Sequence, residues 1–191
     1  MASLQPALFL DRDGIVNVDT DFLYKVEDVQ WVKGIFELIA HARSLGYAVI
    51  IVTNQSGIGR GYYSEEQFHT LMDWMCGELG SRGCTIDGVY FSPYHPVHGI
   101  GDYKQDTECR KPKPGMLLQA AQEHGLDLSR SVMIGDRCSD IAAAANAGVP
   151  VRILLEGTES TGCPSEPGHT AVKSLAEVIP LLPALDTDCK R

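Results

Sequence analysis

The 191-residue sequence has no long apolar run. No stretch approaches the ~20 consecutive apolar residues that a membrane span needs, and the segment from Met1 to Gly14 lacks a basic region followed by an apolar one. Both absences lead us to expect a soluble, cytoplasmic protein. Positive charge is also scarce, with 16 Lys and Arg against 25 Asp and Glu and a net charge of -9. That balance leaves no electrostatic footprint for nucleic acid or for an anionic membrane. A small anionic substrate fits only if local cations or a metal overcome the global field. The six cysteines, Cys76, Cys84, Cys109, Cys138, Cys163 and Cys189, form no C-x-x-C pair and no framework spacing. Free thiols in a reducing compartment are expected, with neither a disulfide scaffold nor a zinc ribbon. There is no internal repeat, and no patch suggests an obligate partner, so the expected state is a monomer.

The length and the 44% hydrophobic content suit one core, and one domain over 1–191 is expected. Short β-branched runs alternate with amphipathic helical stretches, the pattern of an α/β fold with parallel strands and crossover helices. The strands are placed at Ala7 to Leu10, Ala48 to Val52, Gly88 to Phe91, Val132 to Ile134 and Val151 to Leu154. Helical spacing recurs from Ile35 to Leu45, from Met116 to Glu123, from Ile141 to Ala147 and around Ser174 to Ile179. Ser64 followed by Gln67 is a capping-box pattern ahead of the stripe Phe68, Leu71, Met72, Met75 and Leu79. Gly157 to His169, rich in Gly, Ser, Thr and Pro, reads as a surface loop, and Gly57 to Tyr62 as a flexible one.

In such sheets ligands bind beyond the carboxyl ends of the strands. Those ends carry Asp11-Arg12-Asp13-Gly14, Thr53-Asn54-Gln55-Ser56-Gly57 and Gly135-Asp136, with Arg110-Lys111-Pro112 ahead of a helix. Each alone is weak, since a D-x-D is often a turn and a lone lysine usually a solvated charge. Together they make one chemistry. Asp11 can attack a phosphate monoester and form an aspartyl-phosphate, and Asp13 can act as general acid and then base. Mg²⁺ suits a site of carboxylates, phosphate and water, held by Asp11, Asp13 and Asp136. Thr53, Asn54 and Lys111 can steady the charge on the transferred group.

These motifs, with Asp140, resemble those of the haloacid dehalogenase superfamily of phosphatases along nearly the whole chain. Thr53 to Ile58 and the run Cys109-Arg110-Lys111-Pro112 through Met116 are similar, more narrowly, to heptose bisphosphate phosphatases and their histidinol-phosphate phosphatase relatives. The resemblance implies a three-layer Rossmann-like parallel sheet with helices on both faces and no large cap domain, and the gaps between motifs leave no room for one. It implies release of the 7-phosphate of a heptose 1,7-bisphosphate for ADP-heptose and lipopolysaccharide core synthesis. It also implies substrate loops at Asp19 to Phe22, Gly57 to Tyr62 and Ser92 to Cys109. Substrate contacts carried over are Asp19, Thr20, Asp21, Phe22, Asn54, Gln55, Ser56 and Arg137, with Arg110 on the second phosphate. Such enzymes commonly carry a structural zinc before the Arg-Lys pair. Here Ser92, Tyr94 and Thr107 replace three of its ligands and only Cys109 remains, so no zinc is expected. A set of His95, His98 and Cys109 lacks a fourth ligand. Packing of Tyr90, Tyr94 and Pro96 is expected to hold the loop instead. The rival readings are a histidinol-phosphate phosphatase and a non-catalytic sugar-phosphate sensor.

Overall fold

Each apolar run becomes a strand because both of its faces are covered. In the computed structural model, which describes residues 4–157, 163 and 167–184, β1 (Ala7–Leu10) alternates Leu8 and Leu10 into one core and Ala7 and Phe9 into another. Its neighbour β2 (Ala48–Asn54) does the same with Val49 and Ile51 against Ile50 and Val52. With β3 (Gly88–Ser92), β4 (Val132–Gly135), β5 (Val151–Leu155) and β6 (Thr170–Val172) they form one parallel sheet, ordered β3-β2-β1-β4-β5-β6.

On one face lie α1 (Ile35–Ser44), α3 (Glu65–Ser81) and α6 (Leu175–Val178), which bury Leu38, Phe68, Met72 and Leu175. On the other, α4 (Gly115–His124) and α5 (Cys138–Asn146) contribute Met116, Leu117, Ala143 and Ala144. The expected capping box opens α3: Gln67 N–H donates to Ser64 Oγ at 3.1 Å while Ser64 N–H donates to Gln67 Oε1 at 2.8 Å.

One strand is added to the five placed from sequence, and two expectations are corrected. The edge strand β6 has only three residues, two of them exposed, and so no burial pattern to read. Gly57 to Tyr62 is not simply loop, because a one-turn helix, α2 (Ser56–Gly59), runs into it. Cys138 and Cys163 are joined in a disulfide across 25 residues, brought together by the strand between them and not by any motif. Cys76, Cys84 and Cys109 are free thiols. Cys189 and most of the 157–169 stretch lie outside the described residues. Among the described residues, no helix is long and apolar enough to cross a membrane.

β1 is flanked by β2, which leads outward to β3, and by β4, which leads outward to β5. Chain direction across the sheet therefore reverses at β1, and a crevice opens at its carboxyl end. Register makes it compact: Leu10 lies beside both Ile51 and Ile134, so Asp11, Thr53 and Asp136 emerge at nearly one level.

Candidate active site

The floor of the crevice is a buried charge array. Asp11 leaves β1 with its backbone N–H on Ile134 O at 3.0 Å, which fixes its direction. Lys111 Nζ donates to Asp11 Oδ1 and to Val52 O, each at 2.8 Å, and forms an ion pair with Asp140 Oδ1 at 2.6 Å. The three residues are 6%, 3% and 1% exposed. Lys111 is set from behind by Asn54, whose side chain accepts from Lys111 N–H at 3.0 Å and donates to Lys111 O at 3.1 Å. Such an array persists only if each charge has its partner, since removing one of a buried pair costs about 3–5 kcal/mol.

Asp136 follows β4 and approaches Gly14 closely. A Cβ on Gly14 would lie 2.3 Å from Asp136 Oδ2, and the Gly14 φ of +88° disfavours other residues as well. Asp136 Oδ1 is buried without a hydrogen-bond partner. One ammonium therefore faces three carboxylates. Burial, and then repulsion from Asp140, Asp13 and Asp136, push Asp11 above the usual carboxylate range despite Lys111. Burial and Asp140 push Asp136 to about 6. Among the described residues, Asp11, Asp136 and Asp140 are the one set of three acidic, His or Cys side chains whose ligand atoms lie within 4.8 Å of one another. An all-oxygen set with an orphaned, buried oxygen fits a hard divalent cation.

Asp13 has the opposite surroundings. Its carboxylate accepts from Arg12 at 2.7 to 3.0 Å, from Asn17 at 3.0 Å and from Gln55 at 2.9 Å. Burial works upward on its pKa, but the Arg12 charge and these donors win and hold it below the usual carboxylate range. Arg12 is itself fully buried, with a further bond to Leu23 O at 3.1 Å and its guanidinium over the Phe68 ring. Gln55 also donates to Thr53 Oγ1 at 2.7 Å, which leaves the Thr53 hydroxyl hydrogen to donate elsewhere. Tyr63 O–H in turn donates to Gln55 Oε1.

Above the floor is a cavity of about 530 Å³ whose rim is made by loops. Arg110 donates to Tyr94 O at 2.9 Å. Arg137 is mostly exposed and pairs with Asp19 at 2.8 Å. Asp19 also accepts from Asp21 N–H, and this loop holds Asp21 and Phe22 at φ of 56° and 54°, a left-handed pair that non-glycine residues rarely adopt. Ser56, Arg60 and His95 complete the rim, whereas Thr20 is exposed and lies outside the lining.

The 92–110 segment is held differently from the packing expected. Tyr94 does pack against Tyr103, but Tyr90 faces the other core and donates to Glu123 at 2.6 Å. Polar contacts take its place: Cys109 Sγ lies 3.3 Å from Ser92 Oγ and 3.1 Å from Thr107 Oγ1. His95 Nδ1 accepts from the N–H groups of Val97 and His98. Sequence reasoning named every floor residue, though Asp140 only as part of a motif. It missed Arg12, Tyr63 and Arg60, whose contacts with Asp13, Gln55 and Phe22 follow from how the chain turns and not from a motif.

The fold and the floor together define a domain of the parallel α/β class with a buried cluster of carboxylates at the switch point of its sheet. The HAD-hydrolase-like family model matches residues 108–178. The chain is 47% identical to D-glycero-alpha-D-manno-heptose-1,7-bisphosphate 7-phosphatase of Burkholderia mallei, covering 92% of this chain and 93% of that protein. It is likewise 47% identical to the D-glycero-beta-D-manno-heptose-1,7-bisphosphate 7-phosphatase of Vibrio cholerae, over 79% and 81% of the two chains. Its fold matches the crystal structure of D,D-heptose 1,7-bisphosphate phosphatase from B. bronchiseptica complexed with magnesium and phosphate. That match has a TM-score of 0.76 at 28% identity and covers 93% of this chain and 98% of that one. The chain belongs to the heptose-1,7-bisphosphate 7-phosphatase family of haloacid dehalogenase-like hydrolases.

Proposed function

We propose that this protein removes the 7-phosphate of D-glycero-D-manno-heptose 1,7-bisphosphate through an aspartyl-phosphate on Asp11, for ADP-heptose and lipopolysaccharide core synthesis. The observation that carries this reading is the buried Asp11–Lys111–Asp140 array beneath a cation-rimmed cavity. Lys111 orients Asp11 by one oxygen and leaves the other for attack on phosphorus. As the Asp11 O–P bond forms, the bond to the sugar oxygen breaks and that oxygen takes a proton from Asp13. Water then attacks phosphorus, gives its proton back to Asp13 and frees Asp11. Lys111 and the Thr53 hydroxyl stabilise charge on the transferred group.

At rest Asp13 is the base, because Arg12, Asn17 and Gln55 favour its anion. Acid catalysis requires proton uptake, which a nearby phosphate dianion promotes by raising its pKa. Asp11, Asp136 and Asp13 would hold Mg²⁺; Asp13, whose carboxylate is engaged, has its main-chain carbonyl to offer. Asp140 is taken up by Lys111 and by Arg137 N–H at 3.0 Å, so its part is to orient them. When bound, the metal supplies charge compensation between these carboxylates and the phosphate. Ser56, Asp19, Phe22 and Arg137 contact the sugar, and Arg110 the anomeric phosphate.

The protein is further proposed to act as a cytoplasmic monomer, as one uncapped unit over 1–191 and without structural zinc, which elemental analysis tests. The β anomer, carried in the name of the Vibrio cholerae relative, is taken as the substrate, and the α anomer, carried in the name of the Burkholderia mallei protein, as the control. The test of function is phosphate release from both anomers, from sugar monophosphates and from histidinol phosphate, with and without Mg²⁺. The bisphosphate should give the highest kcat/KM. A higher value for histidinol phosphate would overturn the reading, and there is a physical reason not to expect it: a cationic amino alcohol gains nothing from an arginine rim.

A further inference from the structure

Arg60 is a cation without an anion. Among the described residues, no carboxylate lies within ion-pair distance of it, in a protein whose net charge is -9. Its Nε is buried without a hydrogen-bond partner, and its guanidinium lies over the Phe22 ring, 5.5 Å from the centroid. Arg110, on the same cavity, also has no carboxylate within ion-pair distance among the described residues, and it spends one donor on Tyr94 O. The two are close enough that, after burial, Arg60 lowers the pKa of Arg110, and, again after burial, both lower that of His95. Like charges gathered around one mouth raise the energy of the folded chain, and a dianion between them reverses the sign of that interaction.

The positions are not accidents of flexible side chains. Arg60 caps α2, with its N–H on Ser56 O at 3.0 Å. Gly59 O accepts from Ile100 N–H at 2.8 Å, and a Cβ on Gly59 would fall 2.4 Å from Pro93 O, so the Arg60 turn is pressed against the segment that carries Arg110. Phe22, which aims the guanidinium, is braced edge-on by Tyr62 at 4.6 Å.

We propose that Arg60 is a second recognition residue for the phosphate that is not transferred, closing a two-guanidinium clamp with Arg110, and that Phe22 is the positioning residue that aims it. A planar guanidinium binds two phosphate oxygens at once, and two of them discriminate a terminal phosphate from a hydroxyl. The proposal rests on the bisphosphatase reading above.

The test is steady-state kinetics of Arg60→Ala, Arg60→Gln and Arg60→Lys on heptose 1,7-bisphosphate and on heptose 7-phosphate, with circular dichroism to confirm folding. Arg60→Ala and Arg60→Gln should lower kcat/KM on the bisphosphate about tenfold more than on the monophosphate, chiefly through KM. Arg60→Lys should recover part of the difference, and Phe22→Leu should fall between. Equal losses on both substrates overturn the clamp. A wild-type enzyme that prefers the bisphosphate together with an Arg60→Gln ratio equal to wild type overturns the clamp alone. A wild-type enzyme with no such preference removes the bisphosphatase reading and the clamp with it.

Discussion

Floor and rim of the cavity handle charge in opposite ways. On the floor, Asp11, Lys111 and Asp140 come from strand ends and helix starts, are nearly sealed from solvent and pair their charges with one another. On the rim, Arg60 and Arg110 come from loops, are half-buried and have no carboxylate partners among the described residues. The difference teaches which interactions serve the chemistry and the fold at once, and which serve selection. A floor residue cannot be changed without stranding a buried charge, whereas a rim residue can.

The sharpest break of the floor is Asp11→Asn, which keeps its size and a Lys111 contact but removes the proposed nucleophile. Turnover should fall at least ~10⁴-fold with KM little changed, and appreciable residual single-turnover phosphate release would rule out Asp11. Next comes Lys111→Met, which leaves Asp11 and Asp140 facing each other. Activity should drop by roughly 10³-fold, and urea unfolding should show a loss of about 3–5 kcal/mol. Arg110→Ala probes the other side of the comparison. It should lower kcat/KM for the bisphosphate by roughly 10–100-fold while stability stays within about 0.5 kcal/mol. If Arg110→Ala instead unfolds the protein as Lys111→Met does, the distinction between floor and rim is wrong.

The smallest effect concerns pH. Asp136 is raised to about 6 and Asp11 is raised also, both by burial and neighbouring carboxylates. A carboxyl raised in the folded chain stabilises fully below its unfolded value and progressively less as pH climbs through its folded value. In EDTA, therefore, these two groups should make Tm fall by roughly 3–6 °C from about pH 5 to about pH 8. Mg²⁺, which favours the ionised forms, should raise Tm more at the upper pH than at the lower. Asp13, held low, changes its contribution only below its unfolded value of 3.8 and leaves that window clear. A Mg²⁺ effect independent of pH would place the ion away from these carboxylates.

The places of Asp11, Thr53 and Asp136 were legible in the sequence because strand ends are legible. A short apolar run closed by Asp11, by Thr53 or by Gly135-Asp136 marks both the strand and the residue it delivers to the crevice, and no long-range fact is needed. Arg12 was not legible, since nothing local says that the residue between Asp11 and Asp13 turns into the core and clamps Asp13. Arg60 lay inside a loop that the sequence marked for substrate, yet its place on the rim depends on Gly59 meeting Pro93 and Ile100. The Cys138–Cys163 bridge and β6 share that cause: both exist through contacts made after β5 has crossed the sheet, and neither has a local pattern.

The seam between Gly59 and the 92–110 segment also bears on engineering. Because that backbone contact admits no side chain, the two loops behave as a single module with one shared geometry. Redesigning the enzyme for another sugar by grafting either loop alone would set a foreign backbone against an unchanged one. A successful transplant would have to carry both segments, and Phe22 with them.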